Sequence, residues 1–189
     1  ITGETGTGKE LVARAIHMMS PRCEAAFIAE NCAALPDGVV ESELFGHVRG
    51  AFTGAVRDQP GKVEEADGGT LMLDEVGEIS AALQAKLLRF SQDREFERVG
   101  ETRTRRADTR IVSATNRDLE RDVTEGRFRL DLLYRLNVIE VRVPPLRERR
   151  EDLVVLARRF VEFFAKNLGR RTLRLSLEAE ASLLAYDWP

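Results

Sequence analysis

Apolar side chains recur with helical spacing at Leu11, Val12, Ala15, Ile16 and Met19, which predicts an amphipathic helix over residues 9–19. The run Ala26-Phe27-Ile28-Ala29 reads as a short buried strand, and Val39 to Phe45 as a short helix. Arg49 to Gln59 mixes glycine, threonine and polar residues around one aromatic, Phe52, as a surface loop does. Asp67-Gly68-Gly69 is a turn feeding a second buried strand, Thr70-Leu71-Met72-Leu73. Ser80 stands where an N-cap belongs, before a helix to about Gln92 that turns Leu83, Leu87, Leu88 and Phe90 inward. A charged stretch, Arg94 to Asp108, leads to a third strand, Arg110-Ile111-Val112-Ser113-Ala114. Phe128 to Leu136 has a helical pattern, Val138 to Val143 alternates as a strand, and Pro144-Pro145 breaks the chain. Beyond the break lie a long amphipathic helix, Glu151 to Leu168, and another beginning at Leu177 and reaching Tyr186.

Strands alternating with helices predict an α/β fold with a mostly parallel sheet flanked by helices. Helices alone after the prolines predict a small helical subdomain, so residues 1–144 read as the α/β core and 145–189 as the beginning of a helical lid. Composition narrows the class. With 43% hydrophobic and 32% charged residues the chain can bury a core, which excludes a disordered tail or a fibre. No apolar run reaches the roughly 18 residues of a membrane span, and the N-terminus lacks a signal-peptide layout. Only two cysteines occur, Cys23 and Cys32, which points to a reducing compartment and away from a disulfide framework; with His17 and His47 they offer no metal-site spacing. The net charge of −3 argues against binding a phosphate backbone through this chain itself.

Chemistry enters with Gly3-Glu4-Thr5-Gly6-Thr7-Gly8-Lys9, a G-x-x-x-x-G-K sequence between a strand end, Ile1-Thr2, and an amphipathic helix. Glycines there let backbone N–H groups turn inward around phosphate oxygens at the positive end of a helix, and Lys9 reaches the outer phosphates. The following position carries Glu10 in place of the usual Ser or Thr magnesium ligand, so a carboxylate approaches the metal directly or through water. Leu71-Met72-Leu73-Asp74-Glu75 supplies a second acidic element at a strand end: Asp74 to hold Mg²⁺ and Glu75 to polarise the attacking water.

The hexapeptide Gly50-Ala51-Phe52-Thr53-Gly54-Ala55 resembles the signature loop of NtrC-type bacterial enhancer-binding proteins, the AAA+ ATPases that activate sigma-54 RNA polymerase. Glu41-Ser42-Glu43-Leu44-Phe45-Gly46-His47, Ala66 to Leu71, Gly3 to Glu10 and the Trp188-Pro189 ending are similar to the same family. The resemblance implies a P-loop nucleoside triphosphatase of the AAA+ kind that hydrolyses ATP with Mg²⁺ and remodels the sigma-54 holoenzyme. It implies that Gly50 to Ala55 contact sigma-54 through Phe52 and Thr53 at the tip, exposed or withdrawn according to the nucleotide. Asn31 then senses the γ-phosphate through Glu75, and Thr115 and Asn116 take the sensor I position. Arg129 and Arg135, six residues apart on the Phe128–Leu136 helix, become arginine fingers acting on the neighbouring subunit of a ring, by analogy a hexamer. Arg98 to Arg106 becomes a second surface loop.

Residue types alone leave some of these assignments open. Asn31 and Thr115-Asn116 also suit turns that end strands, the two arginines also suit salt bridges, and 98–106 also suits a solvated charged hairpin. Two other functions stay in view: an AAA+ ATPase with another substrate, and a nucleotide-sensing module with little turnover. The resemblance places DNA binding in a C-terminal module outside the chain and implies a cytoplasmic, signal-responsive regulator of the two-component or another type. It also makes the chain a cropped central domain, with most of the first core strand and the sensor II arginine outside residues 1–189. Residues 1–189 alone are therefore expected to hydrolyse ATP poorly.

Overall fold

The computed structural model describes residues 1–170 and 173–188. Along the chain run α1 (Lys9–Met18), β1 (Phe27–Asn31), α2 (Asp37–Phe45), α3 (Lys62–Glu65), β2 (Thr70–Asp74) and α4 (Ala81–Asp93). They are followed by β3 (Glu95–Phe96), β4 (Arg105–Arg106), β5 (Arg110–Ser113), α5 (Leu119–Thr124), α6 (Leu130–Leu136), α7 (Glu151–Asn167) and α8 (Leu177–Ala185). The chain divides into two units, Ile1–Val143 and the part from Pro144 onward.

β2 is the middle strand of the parallel order β1-β2-β5, with Asn31 opposite Asp74 and Leu73 opposite Ser113. Its side chains alternate between two apolar faces. Leu71 and Leu73 join a core with Phe45, Leu83, Leu87, Phe90 and Leu132, whereas Met72 packs with Ala13, Val112 and Ala114 on the other side. Burial on both faces is why this strand reads as an unbroken apolar run. The rings of Phe45, Phe90 and Phe96 meet at centroid distances of 6.0–6.4 Å and anchor α2, α4 and β3 to one another.

Beyond β5 the sheet continues through single parallel bridges. Thr2 pairs with Thr115 on one side and Arg142 on the other, its N–H donating to Val141 O and its carbonyl accepting from Val143 N–H. The opening segment therefore lies between β5 and the last extended segment, while the next strand in sequence, β1, lies at the far edge. The phosphate-loop sequence leaves the sheet where the strand order reverses, the place where open α/β sheets receive ligands.

Two expectations are corrected. The alternating segment Val138–Val143 does not form a strand along its length: Val138 and Ile139 are exposed and only Arg142 bridges Thr2. The predicted helix from Phe128 begins at Leu130, because the Phe128 N–H donates to Asp122 O and the Arg129 N–H to Gln84 Oε1. Arg129 is thus at the helix N-cap and only Arg135 lies on α6. The charged stretch after α4 carries a short antiparallel pair, β3–β4, the hairpin arrangement that the residue types left open for 98–106. In the second unit, α7 and α8 follow the predicted pattern, Ser176 Oγ capping α8 by accepting from Ala179 N–H. Pro189 of the Trp188-Pro189 ending lies outside the described residues. Among the described residues no helix is long and apolar enough to cross a membrane.

Cys32 sits at the end of β1 in the core, and burial, reinforced by the negative charges of Glu30 and Asp74, pushes its thiol up to about 12. Since the thiolate is the reactive form, a thiol reagent at pH 8 is expected to label the half-buried Cys23 and to reach Cys32 only after denaturation. Mass spectrometry of the labelled protein checks this, and rapid labelling at Cys32 would contradict the packing described.

Candidate nucleotide site and surface loop

Gly3 to Lys9 wraps the start of α1. Gly6 and Gly8 have φ of +82° and +94°, a left-handed backbone that side-chain-bearing residues seldom adopt, so glycine is needed for the turn. At Gly3 a Cβ would stand 2.7 Å from Val143 O, which fixes that position as glycine by contact. The Thr7 hydroxyl donates to Glu4 O at 2.8 Å and tightens the loop. Lys9, only 6% exposed, donates to Gly3 O at 2.9 Å and stands 3.5 Å from Glu75 Oε1.

Register brings the other candidates to the same edge. Asp74 ends β2 and accepts the Glu75 N–H at 3.1 Å; burial and then the charge of Glu75 raise its carboxyl above the usual range. Glu75 is one of few non-glycine residues with a left-handed backbone, φ 52° and ψ 46°. Its two carboxylate oxygens are divided between Lys9 Nζ and the backbone N–H of Asn116, the latter 3.2 Å away. Asn116 Nδ2 donates to Thr5 Oγ1 at 3.0 Å, closing a path from the phosphate loop to the segment after β5. Thr115 is buried and its hydroxyl accepts from Arg117 N–H. Gly3, Glu4, Thr115 and Asn116 also line a cleft of about 490 Å³. A larger cavity of about 690 Å³ runs between β5 and Val138-Ile139 and includes none of Gly3 to Lys9.

Two candidates face elsewhere. The Glu10 carboxylate is exposed and held by Arg14 one helical turn on, at 2.7 Å. Asn31 adjoins Asp74 in register, but its Oδ1 accepts from Ala33 N–H and so caps the turn after β1. Among the described residues no group of three or more His, Cys, Asp or Glu converges as a metal cage. One strand-end carboxylate beside a phosphate loop nevertheless suits Mg²⁺, which keeps several waters and takes a carboxylate or two plus phosphate oxygens.

Arg129 and Arg135 differ in setting. The Arg129 guanidinium is half-exposed and forks onto Asp131 at 2.7 and 3.0 Å. Arg135 donates twice to Ser91 O, at 2.7 and 2.9 Å, and so tethers α6 to the end of α4.

Far along the chain, Gly50 to Ala55 forms a tight loop closed by the Gly50 N–H on Ala55 O and the Ala55 N–H on Phe52 O. Gly50 and Gly54 have φ of +84° and +102°. Phe52 is 46% exposed, and its inner edge meets the buried His47 ring at 5.0 Å; His47 Nδ1 lies 2.8 Å from Ser42 Oγ. The β3–β4 connection backs this loop. Val48 N–H donates to Val99 O, and a Cβ at Gly100 would stand 2.7 Å from Ala51 Cβ. Arg98 forks onto Glu64 at 2.7 and 2.8 Å, and Arg105 holds Glu101 at 2.9 Å.

A glycine phosphate loop at the reversal of a parallel sheet, with Asp74 and Glu75 on the next strand end but one, defines the P-loop AAA+ class. The sigma-54 interaction domain family matches residues 1–142, and the AAA+ ATPase lid domain matches 147–189. The chain belongs to the sigma-54 interaction domain family. It is 59% identical over its whole length to the Nif-specific regulatory protein of Klebsiella pneumoniae and spans 36% of that protein. It is 58% identical to the anaerobic nitric oxide reductase transcription regulator NorR of Citrobacter koseri, of which it spans 37%. The crystal structure of NtrX from Brucella abortus in complex with ADP superposes with a TM-score of 0.90 at 42% identity, covering 99% of this chain and 41% of that one. A complex of the same protein with ATP superposes at 0.87.

Proposed function

We propose that the chain is the motor of a sigma-54-dependent transcriptional activator, hydrolysing ATP and using the cycle to move the Phe52 loop against sigma-54. The observation that carries the reading is the bridge from Lys9 through Glu75 to Asn116, set on a glycine phosphate loop. ATP and ADP are the ligands of the NtrX structures. In this reading the N–H groups of Gly3 to Lys9, with Glu4, Thr5 and Thr7, cradle the phosphates, and Lys9 offsets charge on the outer ones. Mg²⁺ held by Asp74 supplies charge neutralisation at the phosphates. Glu75 orients the attacking water and draws off its proton, while Asn116 fixes the far oxygen of the same carboxylate. Thr115 completes the edge beside the γ-phosphate.

Arg129 acts on the nucleotide of a neighbouring subunit, which requires a ring, by analogy a hexamer. Its exposure and its local partner Asp131 suit a side chain that exchanges one carboxylate for a phosphate on assembly. Arg135 supports that segment through Ser91. Phe52 and Thr53 supply the sigma-54 contact, an exposed aromatic flanked by small residues and glycines that allow movement. DNA is reached through a C-terminal module outside the chain, and the protein works in the cytoplasm as part of a signal-responsive regulator. The test is capture of sigma-54 by the intact protein with ADP alone and with ADP plus aluminium fluoride. Capture only in the second condition is the expected result; capture that ignores the nucleotide contradicts the reading.

A further inference from the structure

Behind Glu75 lies an ion-pair cluster gathered around one buried carboxylate. Asp122, on α5, is 3% exposed. Arg117 Nη2 donates to its Oδ1 at 2.9 Å, and Arg117 Nε stands 2.6 Å from Oδ2 as an ion pair without hydrogen-bond geometry. Arg127 donates its Nε to Oδ1 at 3.0 Å. Burial alone drives the Asp122 carboxyl upward, but the hydrogen bonds from Arg117 and Arg127 outweigh it and hold the group below its ordinary value, ionised.

The remaining Arg117 nitrogen does not point to solvent. Nη1 donates to Gly77 O and to Glu78 Oε2, each at 3.2 Å. Those residues form the 3-10 turn Val76–Glu78 that follows directly on Glu75. The packing there leaves no slack: a Cβ on Gly77 would stand 3.0 Å from Arg117 Cδ and 3.1 Å from Leu119 Cδ2 and Thr115 Oγ1. The Val76 N–H donates to Ala114 O and the Glu78 N–H to Glu75 O, each at 3.0 Å.

A left-handed non-glycine residue persists only where its surroundings over-determine it. At Glu75 the backbone bonds fix the start of the turn, and the guanidinium of Arg117 fixes its end. Arg117 is oriented in its turn by a carboxylate that cannot leave its buried site unpaired without a large cost. We infer that Arg117 and Asp122 are positioning residues for the Glu75 carboxylate, locking the turn that aims it between Lys9 and Asn116. The same residue serves a second segment through its main chain: the backbone oxygen of Asp122 accepts the N–H groups of Arg127 and Phe128, directly before Arg129. The hub therefore joins the water-orienting group of one subunit to the base of the arginine it lends to the next. The inference rests on the ATPase reading for its effect on rate, but not for its effect on the turn.

The test uses Arg117→Gln and Asp122→Asn in the intact protein, with Arg117→Lys and Arg127→Ala for comparison. Steady-state hydrolysis is expected to show kcat lowered about 10–100-fold, as for a misplaced catalytic group, with KM for ATP unchanged. Arg117→Lys keeps the charge but cannot reach Asp122 and the Gly77–Glu78 turn with separate nitrogens at once, and falls with Arg117→Gln. Arg127→Ala leaves Arg117 in place and is expected to retain more kcat than Asp122→Asn. Hydrogen exchange provides the second readout: the amides of Val76 and Glu78 lose protection in Arg117→Gln and Asp122→Asn while those of β2 keep theirs. Should Asp122→Asn fail to fold, Arg117→Gln, whose side chain is partly exposed, carries the comparison alone. Unchanged kcat and unchanged exchange in a merely less stable Arg117→Gln overturn the inference. Loss of protection at Val76 and Glu78 in a protein that never hydrolyses ATP instead upholds the hub and overturns the ATPase reading.

Discussion

Glu75→Gln is expected to lower ATP hydrolysis by about 10²–10⁴-fold, the range for removing a positioned general base. Glutamine keeps the shape of the side chain and one acceptor oxygen, so the hydrogen bond from the Asn116 N–H can survive. What is lost is the negative charge that faces Lys9 and the capacity to take a proton from water. Nucleotide binding is accordingly expected to stay near its original strength, because the phosphate cradle from Gly3 to Lys9 is untouched. Lys9→Ala makes the useful contrast. It removes the charge facing the phosphates and leaves a buried gap, so both affinity and turnover fall. Parallel titrations with a fluorescent ATP analogue and a phosphate-release assay separate the two. A Glu75→Gln variant that hydrolyses ATP at a normal rate contradicts the role given to that carboxylate.

Arg129→Ala is expected to reduce hydrolysis by about 10³-fold or more, the scale reported by arginine fingers generally. Among the described residues the side chain bonds to Asp131, two residues on and equally exposed, an ion pair that contributes little to stability. The variant should therefore fold and bind nucleotide normally. Its distinguishing property is complementation. Mixed with Glu75→Gln subunits, Arg129→Ala subunits should regain activity, because some interfaces then pair an intact Glu75 with an intact Arg129 from the neighbour. Two inactive variants that stay inactive on mixing, although they co-assemble, contradict action between subunits. Arg135→Ala is a less clean experiment, since its guanidinium holds the Ser91 carbonyl and its loss loosens α6 from α4.

The central sheet is legible in the sequence because β2 is apolar on both faces and its neighbours are bounded by turns. The phosphate loop is legible because glycines with left-handed backbones must be written as glycines. Alternation misleads at Val138–Val143, where period-two spacing has no second face to bury against and Val138 and Ile139 stay exposed. The start of α6 is displaced from Phe128 because tertiary bonds from Asp122 O and Gln84 Oε1 claim the N–H groups of Phe128 and Arg129, information that lies 6 and 45 residues away. Glu10 and Asn31 carry the right chemistry at the right spacing, but nearer partners, Arg14 and Ala33 N–H, hold them. Arg117 and Asp122 show the converse. Two opposite charges near a helix start carry no distinguishing mark in sequence, and only the fold reveals that one is buried and the other reaches the turn behind Glu75.

The exposed loop and the phosphate edge lie on different segments, and in the proposed function hydrolysis at Glu75 controls what Phe52 and Thr53 touch. Thr53→Ala removes one hydroxyl from the loop tip and nothing from the phosphate site. Phosphate release and sigma-54 capture with ADP and aluminium fluoride, measured on the same preparation of this variant, test that division most directly. Hydrolysis near the original rate with capture lost is the expected result. Hydrolysis and capture lost together, or capture retained in full, would contradict it.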